Sequence, residues 1–172
     1  MSLTFLIGGA RSGKSALALR FAGDAEEVVF VATGEARDEE MAERIERHRR
    51  ERPATWQVVE EPVDLREAIE AAPPSACVIV DCLSLWVSNL LEAGWTDEAV
   101  EAEAEKSALA AAERAGTSVA ISNEVGLGVV PATALGRRYR DVLGRVNATF
   151  AASANEALLV VAGRTLPLHA WA

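Results

Sequence analysis

The chain has 172 residues, of which 50% are hydrophobic, and its 17 basic and 26 acidic side chains give a formal net charge of -9. This size and composition predict one globular domain over residues 1–172, and the acidic balance argues against general binding to nucleic acid or to anionic membranes. We find no signal peptide and no membrane-spanning apolar run, and therefore expect a soluble cytoplasmic protein. Cys77 and Cys82 follow no zinc-binding pattern, so we expect buried free thiols.

A glycine-rich stretch near the start of the chain matches the phosphate-binding pattern G-x-x-x-x-G-K-[ST] at every fixed position. It consists of Gly8, Gly9, Ala10, Arg11, Ser12, Gly13, Lys14 and Ser15. Residues 3–7 predict a buried strand before it, and residues 15–21 predict the first turns of a helix after it, which is the context that the motif requires. In such a loop, backbone amides contact phosphate oxygens, Lys14 reaches the β- and γ-phosphates, and the Ser15 hydroxyl is a ligand of Mg²⁺.

The β-branched run at residues 28–32 predicts a second strand, which Thr33 and Gly34 end. In an open parallel sheet the carboxyl ends of the strands line the ligand crevice. Thr33 is therefore a candidate contact, although a threonine at the end of a strand is often only a cap.

A charged helix is predicted over about residues 38–50, and its periodicity places Met41, Ile45 and His48 on one face. Five arginines surround the histidine: Arg44, Arg47, Arg49, Arg50 and Arg52. In an acidic protein this cluster suits a polyphosphate ligand. A solvated helix face with Glu–Arg pairs one turn apart explains the same pattern equally well.

The next elements are a short strand at residues 56–60, a helix at residues 64–72 and a strong strand at residues 76–81. The last of these is an apolar run that ends in Asp81. An aspartate at the end of a strand is a weak signal alone, but after a phosphate loop it is typical of nucleotide triphosphatases, in which it holds Mg²⁺ or its water.

The remaining pattern predicts helices at residues 83–91, 97–115 and 132–155, strands at 117–122 and 156–162, and an edge hairpin strand at 166–168. The loop at residues 123–131 directly follows a strand, so Asn123 and Glu124 lie where substrate contacts are expected. The alternation of strands and helices predicts an α/β fold with a mostly parallel sheet and helices on both faces. The residues alone thus indicate a Mg²⁺-dependent P-loop nucleotide enzyme without naming its acceptor.

Several blocks together resemble one known family, the bifunctional adenosylcobinamide kinase / adenosylcobinamide-phosphate guanylyltransferases of cobalamin biosynthesis. They are the phosphate loop, residues 40–49, Arg52-Pro53 with Trp56, residues 123–126 with Gly128 and Val130-Pro131, and residues 144–147. The blocks occur in family order and at family-like spacing over nearly the whole chain. The resemblance implies a single-domain RecA-like P-loop fold and a homotrimer.

The resemblance also implies two reactions, with ATP or GTP, Mg²⁺ and a corrinoid acceptor as ligands. The γ-phosphoryl group passes to the aminopropanol hydroxyl of adenosylcobinamide, and GTP then gives GMP to the new phosphate through a guanylylated histidine, with pyrophosphate as the second product. By motif position that histidine is His48, which with Lys14 forms the expected catalytic pair. Matching positions imply nucleotide contacts at Thr33, Gly34, Arg49, Arg50, Glu51, Arg52, Glu60 and Asp81.

Two other functions compete with this interpretation. A plain P-loop small-molecule kinase would leave His48 idle, and the phosphate loop and Asp81 support it equally. A nucleotide-switched regulatory ATPase or GTPase would instead bind a partner protein. Stable labelling of the protein from the α-phosphate distinguishes the bifunctional enzyme from the plain kinase.

Overall fold

The computed structural model describes residues 2–23, 25–37, 39–50 and 53–170, and at positions 40, 41, 44, 47 and 48 it describes the backbone alone. The strands are β1 Ser2–Gly8, β2 Val28–Ala32, β3 Gln57–Glu60, β4 Cys77–Asp81, β5 Thr117–Asn123, β6 Glu156–Val161 and β7 Arg164–Pro167. The helices are α1 Lys14–Ala22, α2 Glu39–Arg50, α3 Leu65–Ala71, α4 Leu83–Glu92, α5 Asp97–Glu113 and α6 Ala134–Ser153. None of these described helices has the length and apolar character needed to cross a membrane.

Within the described residues, seven strands form one sheet in the order β3-β2-β4-β5-β1-β6-β7. Neighbours pair in parallel except β6 and β7, which form an antiparallel hairpin at one edge. The strand β5 lies between β1 and β4, and the register pairs Gly8 with Asn123 and Asp81 with Ile121. The carboxyl ends of β1, β5 and β4 therefore meet at the edge of the sheet where α/β proteins bind ligands.

Side chains alternate along the strands between two cores, one on each face of the sheet. Phe5 and Val78 belong to the larger core, which α3, α4, α5 and α6 cover, and Trp86 of α4 is fully buried there. Leu6 and Ile79, one residue further along, belong to the second core together with α1. The sheet is thus buried on both sides, which explains the continuous apolar runs of its central strands.

The predicted α/β class, with a mostly parallel sheet and helices on both faces, is confirmed. Every predicted strand and helix is present, but the last helix was predicted too long at both ends. Its cap is Thr133, whose hydroxyl accepts a hydrogen bond from Gly136 N at 3.1 Å, so the helix cannot begin at residue 132. At the other end Ala154 is already extended.

Both cysteines are buried and neither forms a disulfide bond, as predicted. Cys77 lies within β4, and burial raises the pKa of its thiol above the usual value. A thiol in this state is a packing residue and a poor nucleophile.

We predict an abnormal titration for Tyr139 of α6, which is the single tyrosine of the chain. Its hydroxyl donates a hydrogen bond to Ser84 O at 3.1 Å, and burial raises its pKa to about 12. The unfolded chain loses this proton near pH 10, so native stability falls as the pH rises from about 10 to 12. The ultraviolet absorbance of tyrosinate in native protein should therefore have a midpoint about two pH units above that of urea-unfolded protein. Coincident midpoints would contradict the prediction, and Tyr139→Phe should abolish the signal.

Candidate nucleotide-binding site

The predicted phosphate loop joins β1 to α1, and its shape depends on glycine at two positions. Gly13, directly before α1, has a φ of 105°, a conformation that other residues rarely adopt. A Cβ on Gly8 would lie 2.2 Å from Val160 O, so only glycine allows β1 to end this close to β6. Gly163 N also donates a hydrogen bond to Ser12 O at 2.8 Å. The loop is thus held from the β6–β7 side around the N-terminus of a helix, which favours anions.

The Lys14 ammonium group lies within this loop and is buried. It donates hydrogen bonds to Gly8 O at 2.9 Å and to Gly9 O at 2.8 Å, and lies 3.5 Å from Ser12 Oγ. The carbonyl groups of the loop therefore hold the ammonium where the motif requires it, beside the expected β- and γ-phosphates.

The two expected Mg²⁺ ligands meet although they are distant in sequence. Ser15 Oγ, on the first turn of α1, donates a hydrogen bond to Asp81 Oδ2 at the end of β4, at 3.2 Å. Mg²⁺ binds oxygen ligands and usually keeps waters and substrate phosphates in place of a full protein cage. Among the described residues, no group of three or more His, Cys, Asp or Glu side chains could hold a metal. A hydroxyl and a carboxylate beside a phosphate loop fit a Mg²⁺ that the phosphates share.

Thr33 lies beneath the site and is fully buried. Its hydroxyl donates to Cys82 O at 2.7 Å and accepts from Cys82 N at 2.8 Å. Its carbonyl oxygen accepts a hydrogen bond from Asn89 Nδ2 at 2.8 Å. These contacts hold the chain that follows Asp81, which agrees with the alternative that Thr33 is a structural residue. The neighbouring Gly34 packs closely, since a Cβ there would lie 3.1 Å from Leu85.

Glu60 lies at the end of β3, at the far edge of the sheet. It accepts a hydrogen bond from Arg49 Nη2 of α2 at 2.5 Å, and both side chains are exposed. Arg50 pairs instead with Glu46 on its own helix, at 3.1 Å. His48 lies on α2, directly before these two arginines in the sequence.

Three of the expected site positions fall wholly or partly outside the description of the structure. Glu51 and Arg52 lie outside the described residues, and the side chain of His48 is also not described. Their expected contacts therefore stay predictions.

The end of β5 carries the two expected substrate contacts, Asn123 and Glu124. Asn123 Nδ2 donates to Ser84 Oγ at 2.7 Å, and Asn123 O accepts a hydrogen bond from Asn147 Nδ2 at 3.2 Å. Asn123 thus ties β5 to α4 and α6. Glu124 N donates to Gly8 O at 3.1 Å, so the loop that follows β5 begins directly beside the phosphate loop.

Two arginines near the phosphate loop were not singled out in the sequence. Arg20 lies on α1 and Arg164 begins β7, and both line an open cleft beside the loop. No motif marks them, because only the fold brings β7 next to α1.

Comparison with known proteins agrees with this geometry. A family model described as cobinamide kinase / cobinamide phosphate guanyltransferase matches residues 4–168. The chain is 42% identical to the bifunctional adenosylcobalamin biosynthesis protein CobU of Escherichia coli (strain K12), over 94% of this chain and 96% of that protein. It is 41% identical to the bifunctional adenosylcobalamin biosynthesis protein CobP of Pseudomonas aeruginosa, over 95% of each chain. The corresponding CobU of Salmonella typhimurium is 38% identical, over 94% of this chain and 96% of that protein.

Among solved structures, the chain is similar to a prototypical ATPase from the type III secretion system of pathogenic bacteria, with a TM-score of 0.55 and 13% identity. The match covers 92% of this chain, which spans half the length (50%) of that ATPase. At this identity the likeness concerns the fold alone, and it agrees with the expected RecA-like P-loop fold.

We predict that Gly8→Ala disrupts the phosphate loop and that the neighbouring substitution Gly9→Ala leaves it intact. In Gly8→Ala the new methyl group would lie 2.2 Å from Val160 O, so β1 must shift away from β6 and the loop with it. Overpacking of this kind costs at least about 1–3 kcal/mol of stability, and we expect ATP binding to be lost as well. Gly9→Ala is the matched control, since its methyl group meets nothing within 4 Å. Thermal unfolding and calorimetric ATP titration of both variants test the prediction, and equal stability and affinity would contradict it.

Proposed function

Because the chain belongs to the cobinamide kinase / cobinamide phosphate guanyltransferase family, we propose that it performs two successive transfers onto one corrinoid acceptor. The γ-phosphoryl group of ATP or GTP first passes to the aminopropanol hydroxyl of adenosylcobinamide, which gives up its proton, and ADP or GDP is released. GMP from GTP then passes to the new phosphate, giving adenosylcobinamide-GDP and pyrophosphate. The observation that carries the proposal is the assembled phosphate site, with Lys14 held inside the loop and Ser15 Oγ 3.2 Å from Asp81.

In the phosphoryl transfer, the chain mainly positions the donor and neutralises its charge. The amides at the start of α1 and the Lys14 ammonium hold the β- and γ-phosphates. Ser15 and Asp81 would hold Mg²⁺, which when bound offsets the negative charge of the phosphates. The acceptor hydroxyl approaches from the loop after β5, where Glu124 N bonds to Gly8 O. Asn123 holds the start of this loop in place, because its side-chain amide donates a hydrogen bond to Ser84.

In the guanylyl transfer, His48 is the nucleophile. Its neutral imidazole nitrogen forms a bond to the α-phosphorus of GTP while the bond to the bridging oxygen breaks and pyrophosphate leaves. The phosphate of the acceptor then displaces the histidine and takes the GMP group. The arginines of α2 counter the charge at the α-phosphate and on the departing pyrophosphate. Because Lys14 holds the β- and γ-phosphates during the attack, α2 must lie against the phosphate loop at that stage.

The finer features that the family resemblance implies stay predictions. They are the homotrimer, the cytoplasmic location and the nucleotide contacts at Thr33, Gly34, Arg49, Arg50, Glu51 and Arg52.

We predict that the protein becomes labelled from the α-phosphate of GTP and not from the γ-phosphate. Incubation with Mg²⁺ and GTP, followed by denaturation, should leave an acid-labile, alkali-stable label, as expected for a phosphoramidate. His48→Ala should abolish the label, whereas His169→Ala, which removes the only other histidine, should retain it. No label in wild-type protein that binds GTP would instead favour a plain kinase or a nucleotide switch.

We also propose that Glu60 accepts hydrogen bonds from the guanine edge in the guanylyl transfer, because guanine offers two adjacent N–H donors that adenine lacks. Glu60→Ala should then reduce the preference for GTP over ATP by about tenfold or more, the scale of one bidentate base contact. The measurement is competition of ATP against GTP in the labelling reaction. Glu46→Ala is the control, since it removes another glutamate that pairs with an arginine of α2. An unchanged preference in Glu60→Ala would remove this role.

A further inference from the structure

An open cleft of about 600 Å³ lies beside the phosphate loop, between α1 and the β6–β7 hairpin. The residues that line it are Leu17, Arg20, Phe21, Gly163, Arg164 and Thr165. Small-molecule sites typically have volumes of about 300–1,000 Å³, so the cleft has the size of a ligand site. None of the steps described above uses it.

The cleft is continuous with the phosphate loop through backbone contacts. Gly163 N donates to Ser12 O at 2.8 Å, and Leu17 N donates to Gly13 O at 3.0 Å. A Cβ on Gly13 would lie 3.4 Å from the Cα atom of Gly163. Side chains of a helix lean towards its N-terminus, so Leu17 and Phe21 lean back towards the loop. A molecule whose phosphates lie on the loop can therefore extend into the cleft.

The chemistry of the cleft suits a purine. Leu17 and Phe21, both half-buried, supply an apolar and aromatic wall on which a flat base can pack. Arg20 and Arg164 are exposed at the rim, where guanidinium groups can stack on a base or donate hydrogen bonds to its acceptors.

Among the arginines whose side chains the structure describes, the two rim arginines stand out because neither bonds to another described residue. Most arginines whose side chains the structure describes form hydrogen bonds or ion pairs: Arg37, Arg49, Arg50, Arg66, Arg114, Arg137, Arg138, Arg140 and Arg145. The three without such a bond to another described residue are Arg11, Arg20 and Arg164, and all lie on the loop or the cleft. In a chain with a net charge of -9, carboxylate partners are abundant, so these groups are available for a ligand.

The sheet separates this cleft from Glu60. The hairpin strand β7 is two strands from β1, which carries the loop, whereas β3 with Glu60 is four strands from β1 on the other side. With strands about 4.8 Å apart, these distances are roughly 10 Å and 19 Å. One base cannot occupy both positions, and the cleft is the nearer of the two to phosphates held on the loop.

We propose that the cleft between α1 and the β6–β7 hairpin binds the purine base of the phosphoryl donor. The base packs on Leu17 and Phe21, and its polar edge faces the guanidinium groups of Arg20 and Arg164. This inference rests on the two-step function proposed above. It gives the two reactions separate base sites on opposite sides of one phosphate loop.

The test fills the cleft from its exposed rim. Thr165 lines the cleft from the edge strand β7, so Thr165→Trp places a ring where the base would lie. Leu166→Trp is the matched control, because the next residue of a strand points to the opposite face and Leu166 is 58% exposed. Calorimetry measures the affinity of each variant for ATP with Mg²⁺ and for inorganic tripolyphosphate, which has no base.

We expect Thr165→Trp to weaken ATP binding by about tenfold or more, the scale of losing one base–aromatic stack, and to leave tripolyphosphate binding within about twofold. Leu166→Trp should change neither affinity. Guanylylation of His48, with its guanine at Glu60, should proceed in Thr165→Trp as in the control.

Equal ATP affinity in the two variants would overturn the inference. A parallel loss of ATP and tripolyphosphate affinity would also overturn it, because the effect would then lie in the phosphate loop. A loss of guanylylation in Thr165→Trp alone would overturn the separation of the two base sites. By contrast, a protein that binds ATP through the cleft yet transfers no phosphate to adenosylcobinamide would contradict the proposed function and support the base site.

Discussion

The site depends on one buried ammonium group, that of Lys14. A buried charge is costly unless hydrogen bonds satisfy it, and here the carbonyl oxygens of Gly8 and Gly9 accept those bonds at 2.9 and 2.8 Å. Their position depends in turn on how closely β1 approaches β6, which only a glycine at position 8 permits. In this acidic protein, a site suited to a polyanion is therefore built by close packing of the backbone around one ammonium group.

The order of the strands decides which other polar residues lie near the Lys14 ammonium group. Because β5 lies between β1 and β4, the loop, the Asn123 end of β5 and Asp81 form three consecutive strand ends. Hydrogen bonds hold each of them: Gly163 bonds to Ser12 of the loop, Ser84 to Asn123 and Ser15 to Asp81. Thr33 also holds the chain after Asp81. These bonds fix the relative positions of the strand ends, which is what charge stabilisation of a phosphoryl transfer requires.

The helix α2, which carries His48, is attached differently. Among its described contacts with the sheet edge are the Ile45 side chain beside Gly34 and the ion pair between Arg49 and Glu60, whose side chains are 56% and 62% exposed. Exposed ion pairs contribute only about 0–1 kcal/mol, so this pair by itself adds little to the attachment of the helix. In the proposed guanylyl transfer, His48 of this helix would approach a nucleotide whose phosphates lie on the phosphate loop.

The sequence is enough to predict the elements of the fold and the phosphate loop, because hydrophobic period, glycine positions and the strand–loop–helix context are local properties of the chain. It also singled out Asp81 and the positions from 123 onward, since polar residues at the ends of apolar strands follow a local pattern. Tertiary structure alone decided which of these meet: the Ser15–Asp81 contact spans 66 positions, and the cleft joins α1 to a strand near the other end of the chain. The tertiary structure also shows that Thr33 supports the chain after Asp81. The strand order places Glu60 and Thr165 at opposite edges of the sheet. Strand order creates these relations, and strand order follows from packing between distant segments, which no local pattern encodes.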